Sequence, residues 1–423
     1  MKSSFLRRHY HWVIFVTLFT GFFCSIGLSN VRTSIFMIPV CEGLGVSRGV
    51  FSLSTSIHSV AAVFSNMFFG FLYCRLGYRK MSSLGIFVVA LSWALCGFSK
   101  NIYWLYFASA IMGSVDCCVS MALTSRAITE WFNRARGLLL GIVMAASGLG
   151  GSLFSLIFSK IIRQHSFREA YFLGSIILAL TSLLVFLLVR NSPKDMGLEP
   201  FGGNGSFEKK KAKNVSYAGL PVSFLRKRPF FYLALGSIFL MSLGVYSMLS
   251  IVAPHVQDQG LGSDFAAKAQ SVSFFAMAVV KILEGFLSDK LGARKVLTLA
   301  LFAGAAGVLL FANAKSESAV IIAVLLYSFT ISIPSVMIPL YAADLFGRLD
   351  YSVILGLFFS MISASSIINY PMINFSYDLL GSYTPALTVG AGLLLLSIFF
   401  MQLVYRRALK LREIYAAETN ETL

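Results

Sequence analysis

The sequence predicts an all-α integral membrane protein, with twelve transmembrane helices in two pseudo-symmetric six-helix bundles. Three observations carry this expectation. Only 13% of the 423 residues are charged while 57% are hydrophobic, and the mean hydropathy is +0.78. Twelve apolar segments are each long enough to cross a bilayer. A short motif rich in glycine and basic residues occurs twice, once in each half of the chain.

A soluble globular chain carries about 25% charged residues, so the charges here are too few to solvate a surface of this size. Lipid must cover much of it instead. The formal net charge is +17. In a soluble protein that balance would suggest a nucleic-acid partner, but its placement in short loops gives it another meaning here, and no nucleic acid is expected. Cys24, Cys41, Cys74, Cys96, Cys117 and Cys118 lie in or beside apolar runs without a CxxC spacing. They read as membrane-buried thiols rather than a disulfide framework or a zinc site. The basic stretch from Met1 to Trp12 resembles a signal peptide. No small-residue cleavage site follows, however, and the apolar run continues too far, so it reads as the first span. No nucleotide-binding loop, HExxH or GxSxG stands at a useful place. Neither an enzyme nor a cofactor is expected.

A spanning helix needs about 20 mostly apolar residues. The first six segments cover residues 12–40, 50–73, 81–98, 103–125, 137–162 and 170–189. The second six cover 229–254, 266–288, 296–312, 319–343, 351–377 and 384–405. The polar stretch between them contains Gly202-Gly203-Asn204-Gly205-Ser206 and the run Lys209 to Lys213, and reads as a flexible linker. The chain therefore divides into a bundle over 1–190, a linker over 191–228, a second bundle over 229–405 and a tail over 406–423. With the N-terminus inside, 26 of the 35 Lys and Arg fall on the inner side. This bias places both termini in the cytoplasm.

The repeat reads Gly70-Phe71-Leu72-Tyr73-Cys74-Arg75-Leu76-Gly77-Tyr78-Arg79-Lys80 after the second segment. After the eighth it reads Gly285-Phe286-Leu287-Ser288-Asp289-Lys290-Leu291-Gly292-Ala293-Arg294-Lys295. Two equivalent halves are what a carrier needs if it rocks about a site near mid-membrane.

At these residues the sequence resembles the major facilitator superfamily, whose loop 2–3 motif reads G-x-L-a-D-r-x-G-r-k. The second copy is nearly complete, with Asp289 in the acidic place. The first departs, with Cys74 where the acid is expected. The resemblance implies a cytoplasmic gating motif of Gly70, Arg75, Gly77, Arg79, Gly285, Asp289, Gly292 and Arg294, with Arg136 and Asp344 beside it. In the superfamily the acid helps lock the inner ends of the two halves together. Further stretches are similar to monocarboxylate transporters and oxalate/formate antiporters. These are Trp131-Phe132-Asn133-Arg134-Ala135-Arg136-Gly137-Leu138 with Gly141 and Ser147-Gly148-Leu149-Gly150-Gly151, then Pro193 to Pro200, and Tyr377 to Tyr383. Independently of any relative, the glycines let helix backbones approach closely in lipid. Trp12, Trp104 and Trp131 suit the membrane–water interface.

Charges inside a membrane are costly and persist where they face a cavity or a partner. Lys281 lies in the eighth segment, where these relatives place an Arg facing the substrate carboxylate. An ammonium holds a carboxylate as a point charge, without the fork of Arg. A salt bridge with Glu284, or snorkelling to the inner surface, is the structural alternative. Arg32, in the outer half of the first segment, either binds an anion or pairs with an acid. Asp116 is a candidate proton site or a structural partner for Arg32 or Lys281. His58 offers a proton relay or a structural hydrogen bond, and Glu284 is a further proton-coupling candidate. Asn369, Tyr370 and Tyr246 offer hydrogen bonds to a substrate. The oxalate-carrying relatives add a Lys in the eleventh segment. Residues 351–377 contain no Lys, Arg or His, and Phe358 lies about where that Lys would be. This favours a monocarboxylate over a dianion.

The expectation is therefore a secondary active transporter of a small organic anion, a monocarboxylate, working by alternating access with proton symport or anion exchange. It would act as a monomer in a plasma or bacterial inner membrane. A proton-driven drug or metabolite exporter, with Asp116 as the coupling acid, stays open as the alternative. A membrane receptor without transport would call for an added soluble domain or long tail.

Overall fold

The computed structural model describes residues 10–132, 136–202, 219–347 and 349–420. Nine helices among the described residues are long and apolar enough to cross a membrane unaided. The remaining predicted spans are broken rods. Span 2 is Arg48–Met67, continued past a turn to Gly77. Span 4 is Ile102–Ser114, a 3-10 turn at Asp116–Cys118 and Met121–Trp131, with a 52° bend. Span 7 is Pro229–Val245 followed by Val252–Asp258. Span 1 is also divided, into Tyr10–Arg32 and Met37–Leu44. Grouped in this way, the described helices form twelve rods where the sequence places the spans. Spans 5, 6, 8, 9, 11 and 12 are Arg136–Gln164, Phe167–Leu188, Ser263–Leu291, Ala293–Ala312, Tyr351–Leu380 and Thr384–Asn420. Span 3 is the part of Phe69–Gly97 beyond Gly77, and span 10 is Glu317–Ile331 with Ile333–Phe346.

Local chemistry sets many of the ends. Ser47, Ser120, Ser166 and Ser316 each accept a hydrogen bond from the backbone N–H three residues on. A serine at this position satisfies an otherwise orphaned helix donor. The repeated motif ends in the same way in both halves. Gly77 has φ +66° and Gly292 has φ +84°, values glycine adopts without steric cost. Each separates a descending span from an ascending one. A Cβ at Gly77 would also lie 2.6 Å from the Asn191 amide, which accepts from the Arg79 N–H.

Within the first half, span 1 packs on span 5, span 2 on span 4 and span 3 on span 6. In the second half, span 7 packs on spans 11 and 12, and span 9 on spans 10 and 12. The halves meet along two seams, span 2 with span 11 and span 5 with span 8. Glycines make the closest approaches. A Cβ at Gly150 would overlap the carbonyl of Phe23 and press on Gly27, and one at Gly148 would lie 2.9 Å from Ala278 across the seam. Gly141 has open space instead and serves no such contact.

Several expectations are corrected. Trp131 is fully buried and donates to the Arg190 carbonyl at 3.1 Å, so it packs in the core; Trp12 and Trp104 are exposed as expected. Cys74 is exposed, unlike the other five cysteines. The twelfth helix does not end near residue 405 but runs to Asn420. The linker is docked at both ends. Phe201 N donates to Trp131 O at 2.9 Å, and Leu220 N donates to Phe346 O at 2.8 Å. These are the equivalent inner loops of the two halves, 4–5 and 10–11. Arg134 and the run Lys209 to Lys213 lie outside the described residues.

Replacing Gly150 by Leu inserts a side chain into the span 1–span 5 contact. The expected cost is about 1–3 kcal/mol, read as a lowered Tm in detergent, whereas Gly141→Ala leaves the Tm in place.

Candidate functional site

Inner here means the end of the bundle bearing the basic loops and Tyr10; outer means the other. The outer ends of the halves are tied together. Arg48, at the start of span 2, forms a two-pronged ion pair with Asp258 at 2.5 and 2.8 Å. The same guanidinium donates to the Tyr383 hydroxyl at 2.9 Å and lies 3.9 Å above the Tyr377 ring. Asp378, at the outer end of span 11, accepts from the backbone N–H groups of Arg48 at 3.2 Å and Gly49 at 2.7 Å. A carboxylate at a helix N-terminus satisfies orphan donors and meets the positive end of the helix dipole. At the other seam Arg163 pairs with Asp264. Lower down, Ser34 donates to Gln270 at 2.5 Å, Ser152 meets Ser271 at 2.8 Å and Ser56 donates to Ile367 O at 2.7 Å.

Toward the inner side the seam opens. Residues four apart share a helix face, and the face of span 2 that meets span 11 can be followed turn by turn. Ser52 is 2% exposed and Ser56 7%, but Val60 is 42% and Phe64 61%. The molecule is therefore closed outside and parted inside.

Lys281 lies in the other seam, between spans 8 and 5. It is 5% exposed and donates across the seam to Ser147 Oγ at 2.9 Å and Met144 O at 3.3 Å. No carboxylate among the described residues lies within ion-pair distance of it. The expected alternatives, a direct bridge to Glu284 or snorkelling to the inner surface, are not what the side chain does; it crosses to span 5. Glu284 is fully buried, and both its carboxylate oxygens are without a hydrogen-bond partner among the described residues. The nearby Ser332 hydroxyl donates to Phe329 O instead.

A second polar group forms in the first half. Arg32 is 5% exposed, donates to Ser109 at 3.2 Å and has an unpartnered Nε. Asp116 accepts from Asn66 at 3.1 Å, and His58 Nε2 lies 3.8 Å from its other oxygen. Asp116 therefore pairs with neither Arg32 nor Lys281. It does not continue a straight helix either, but opens the 3-10 turn at which span 4 bends. In the second half, Tyr370 is buried and Tyr246 half-buried. Asn369 turns instead to the Leu243 carbonyl within its own half, leaving its side-chain oxygen unpartnered. Phe358 is buried against Tyr341 and Phe346, so it packs inside the second bundle rather than lining a path.

The repeated motif binds within its own halves. Arg79 donates to Phe186 O at 2.7 Å in span 6, and Arg294 to Gln402 at 2.7 Å in the equivalent span 12. Arg75 lies 4.4 Å over the Phe71 ring. Gly70 and Gly285 lie within helices. Asp344 is exposed and has an interaction of its own. The side chains of Asp289 and Arg136 lie outside the described residues. Sequence reasoning missed the outer ties through Arg48, Asp258, Asp378, Arg163 and Asp264. Their one visible signal was position, as charges close to the outer ends of predicted spans.

Two matching six-helix halves, joined along two seams with charged side chains at mid-depth, define a membrane transporter rather than an enzyme. The chain belongs to the Major Facilitator Superfamily, whose profile matches residues 13–368. It is 23% identical over 327 residues to monocarboxylate transporter 13 of Bos taurus, covering 77% of this chain and 73% of that one. It is 21% identical over 364 residues to the oxalate:formate antiporter of Oxalobacter formigenes, covering 85% and 83%. The nucleoside transporter NupG shares the fold, with a TM-score of 0.71 and 12% identity over 94% of this chain and 99% of that one.

Arg48→Ala removes a cross-seam ion pair whose side chains are 14% and 21% exposed. The expected loss is about 1–3 kcal/mol of closure. Spin labels at Lys100 and Lys315 should report a longer outer distance in that variant than in the parent.

Proposed function

We propose that this protein is a secondary active transporter of a small organic anion, a monocarboxylate, working by alternating access. The supporting observation is Lys281, a buried ammonium that crosses the seam to two neutral oxygens and lacks a counter-ion among the described residues. A substrate carboxylate is the missing partner, and a charge-assisted bond to it is stronger than either neutral contact. Binding would release Lys281 from Ser147 and Met144, and so loosen the tie that holds span 8 to span 5. Arg32 would attract the anion from the outer side when the outer ends part. Two of the relatives are named as carboxylate carriers, monocarboxylate transporter 13 and the oxalate:formate antiporter, which is in keeping with this reading.

Coupling to protons is assigned to Glu284. An unpartnered carboxylate in a dry interior is costly as an anion, and a proton supplies what the surroundings lack. It stands one turn from Lys281, so carboxylate arrival and proton loading act on the same stretch of span 8. Asp116, which accepts from Asn66, and His58 beside it are nearer the opening and fit proton coupling less well. The basic loops then face the cytoplasm of a cell membrane, with both termini inside. A proton-driven exporter of cations is disfavoured because a fixed ammonium at the seam repels such a cargo.

Uptake of radiolabelled monocarboxylates into proteoliposomes tests the reading. Lys281→Ala should reduce uptake at least tenfold, the loss of one charge-assisted contact, while Lys281→Arg retains a measurable part. Normal uptake by the alanine variant would exclude the proposal. Glu284→Gln should abolish the stimulation by an inward proton gradient yet leave substrate counterflow running.

A further inference from the structure

The acidic group of the first half has no task in that reading, and its depth in the bundle suggests one. Lys281 meets span 5 at Ser147. Gly150 lies three residues outward of Ser147 and packs on Gly27 of span 1. Arg32 lies five residues outward of Gly27, so at about 1.5 Å per residue it stands ~12 Å outward of Ser147. Arg32 in turn donates to Ser109 of span 4. Asp116 lies seven residues inward of Ser109 on the same span, ~10 Å by the same rise. Asp116 and Lys281 are therefore at nearly the same depth, one in each half.

Their surroundings are complementary. The Asp116 side chain is 37% exposed. Asn66 occupies one of its oxygens at 3.1 Å. The other faces His58 at 3.8 Å, too long for a hydrogen bond. Among the described residues the bundle thus carries, on one half, a carboxylate with one oxygen free of hydrogen bonds and, on the other, an ammonium with no carboxylate within ion-pair distance. Arg32 is not a second anion anchor for the same small molecule, because it lies a further ~10 Å outward.

We infer that the transported monocarboxylate also carries a cationic amine, and that this zwitterion lies across the opening with its carboxylate on Lys281 and its amine on Asp116. This rests on the anion reading above and narrows its substrate class. A molecule held at both ends ties one half to the other at the level where they part, and so favours closure of the inner side. A plain carboxylate makes one of these contacts and gives less of that closure. The amine also supplies Asp116 with the opposite charge it lacks, which no simple anion can do. Hydrogen bonds from Tyr246 and Tyr370 would border the space between the two ends.

The test uses counterflow in proteoliposomes of the full chain, which needs no proton gradient. Matched pairs are compared: 4-aminobutanoate with butanoate, and 6-aminohexanoate with hexanoate. In the wild type at least one amino acid should exceed its plain partner by about tenfold, the worth of one sheltered charge-assisted contact. In Asp116→Asn that ratio should fall about tenfold, and in Asp116→Glu it should be largely kept, which separates a lost contact from a misfolded protein. A wild-type ratio at or below one overturns the inference, as does an unchanged ratio in Asp116→Asn. Failure of the underlying anion reading looks different: Lys281→Ala would then exchange all four compounds as the wild type does. No exchange of any of the four by the wild type overturns both.

Discussion

The packing of span 2 on span 11, and of span 5 on span 8, is the constraint on which the rest of this structure depends. Each half builds its own bundle, and these two seams are where the bundles meet. In lipid there is no hydrophobic drive to hold them, because the tails are as apolar as the side chains. Close packing and polar contacts must do so. The seams use both. Glycines at 148 and 151 admit the backbone of span 8 and the ring of Phe274. Serines and a glutamine supply neutral hydrogen bonds, the cross-seam ion pairs among the described residues stand at the outer rim, where water can reach them, and Lys281 crosses at mid-depth to neutral oxygens.

That distribution separates what moves from what stays fixed. Ion pairs at the rim can part because water solvates the released charges, so closure there is reversible at modest cost. The Asp378 carboxylate adds a different element, since it satisfies the backbone of span 2 directly rather than pairing only with a side chain. When the seam opens, the first turn of span 2 loses its cap along with the ion pair. Farther in, the same helix face carries Val60 and Phe64, which have no polar contacts to break. The inner side can therefore close around a substrate by apolar contact alone.

The linker completes this arrangement. Its two ends are hydrogen-bonded to equivalent loops, one at the base of spans 4 and 5 and one at the base of spans 10 and 11. Tyr10 and His11 reach the Leu188 and Glu199 carbonyls, and Phe201 packs among Trp12, His11 and Phe132. Each half thus carries its own fixed part of the connection.

The sequence by itself determined the class of protein, the spans and the turns of the repeated motif. Those follow from local facts: hydropathy over about 20 residues, a serine three residues before a helix donor, a glycine where φ must be positive. It also singled out Lys281 and Asp116, because a charge within an apolar run is visible in one dimension. Only the tertiary structure decided which charges meet. Arg48 and Asp258 are 210 positions apart and Arg48 and Asp378 330, and no pattern along the chain links them. It likewise turned Phe358 and Trp131 into core residues, and left Glu284, one turn from Lys281, without a hydrogen-bond partner among the described residues. Burial and pairing are properties of how helices are rotated and stacked. That rotation is set by side chains on distant spans, and a single span does not record it.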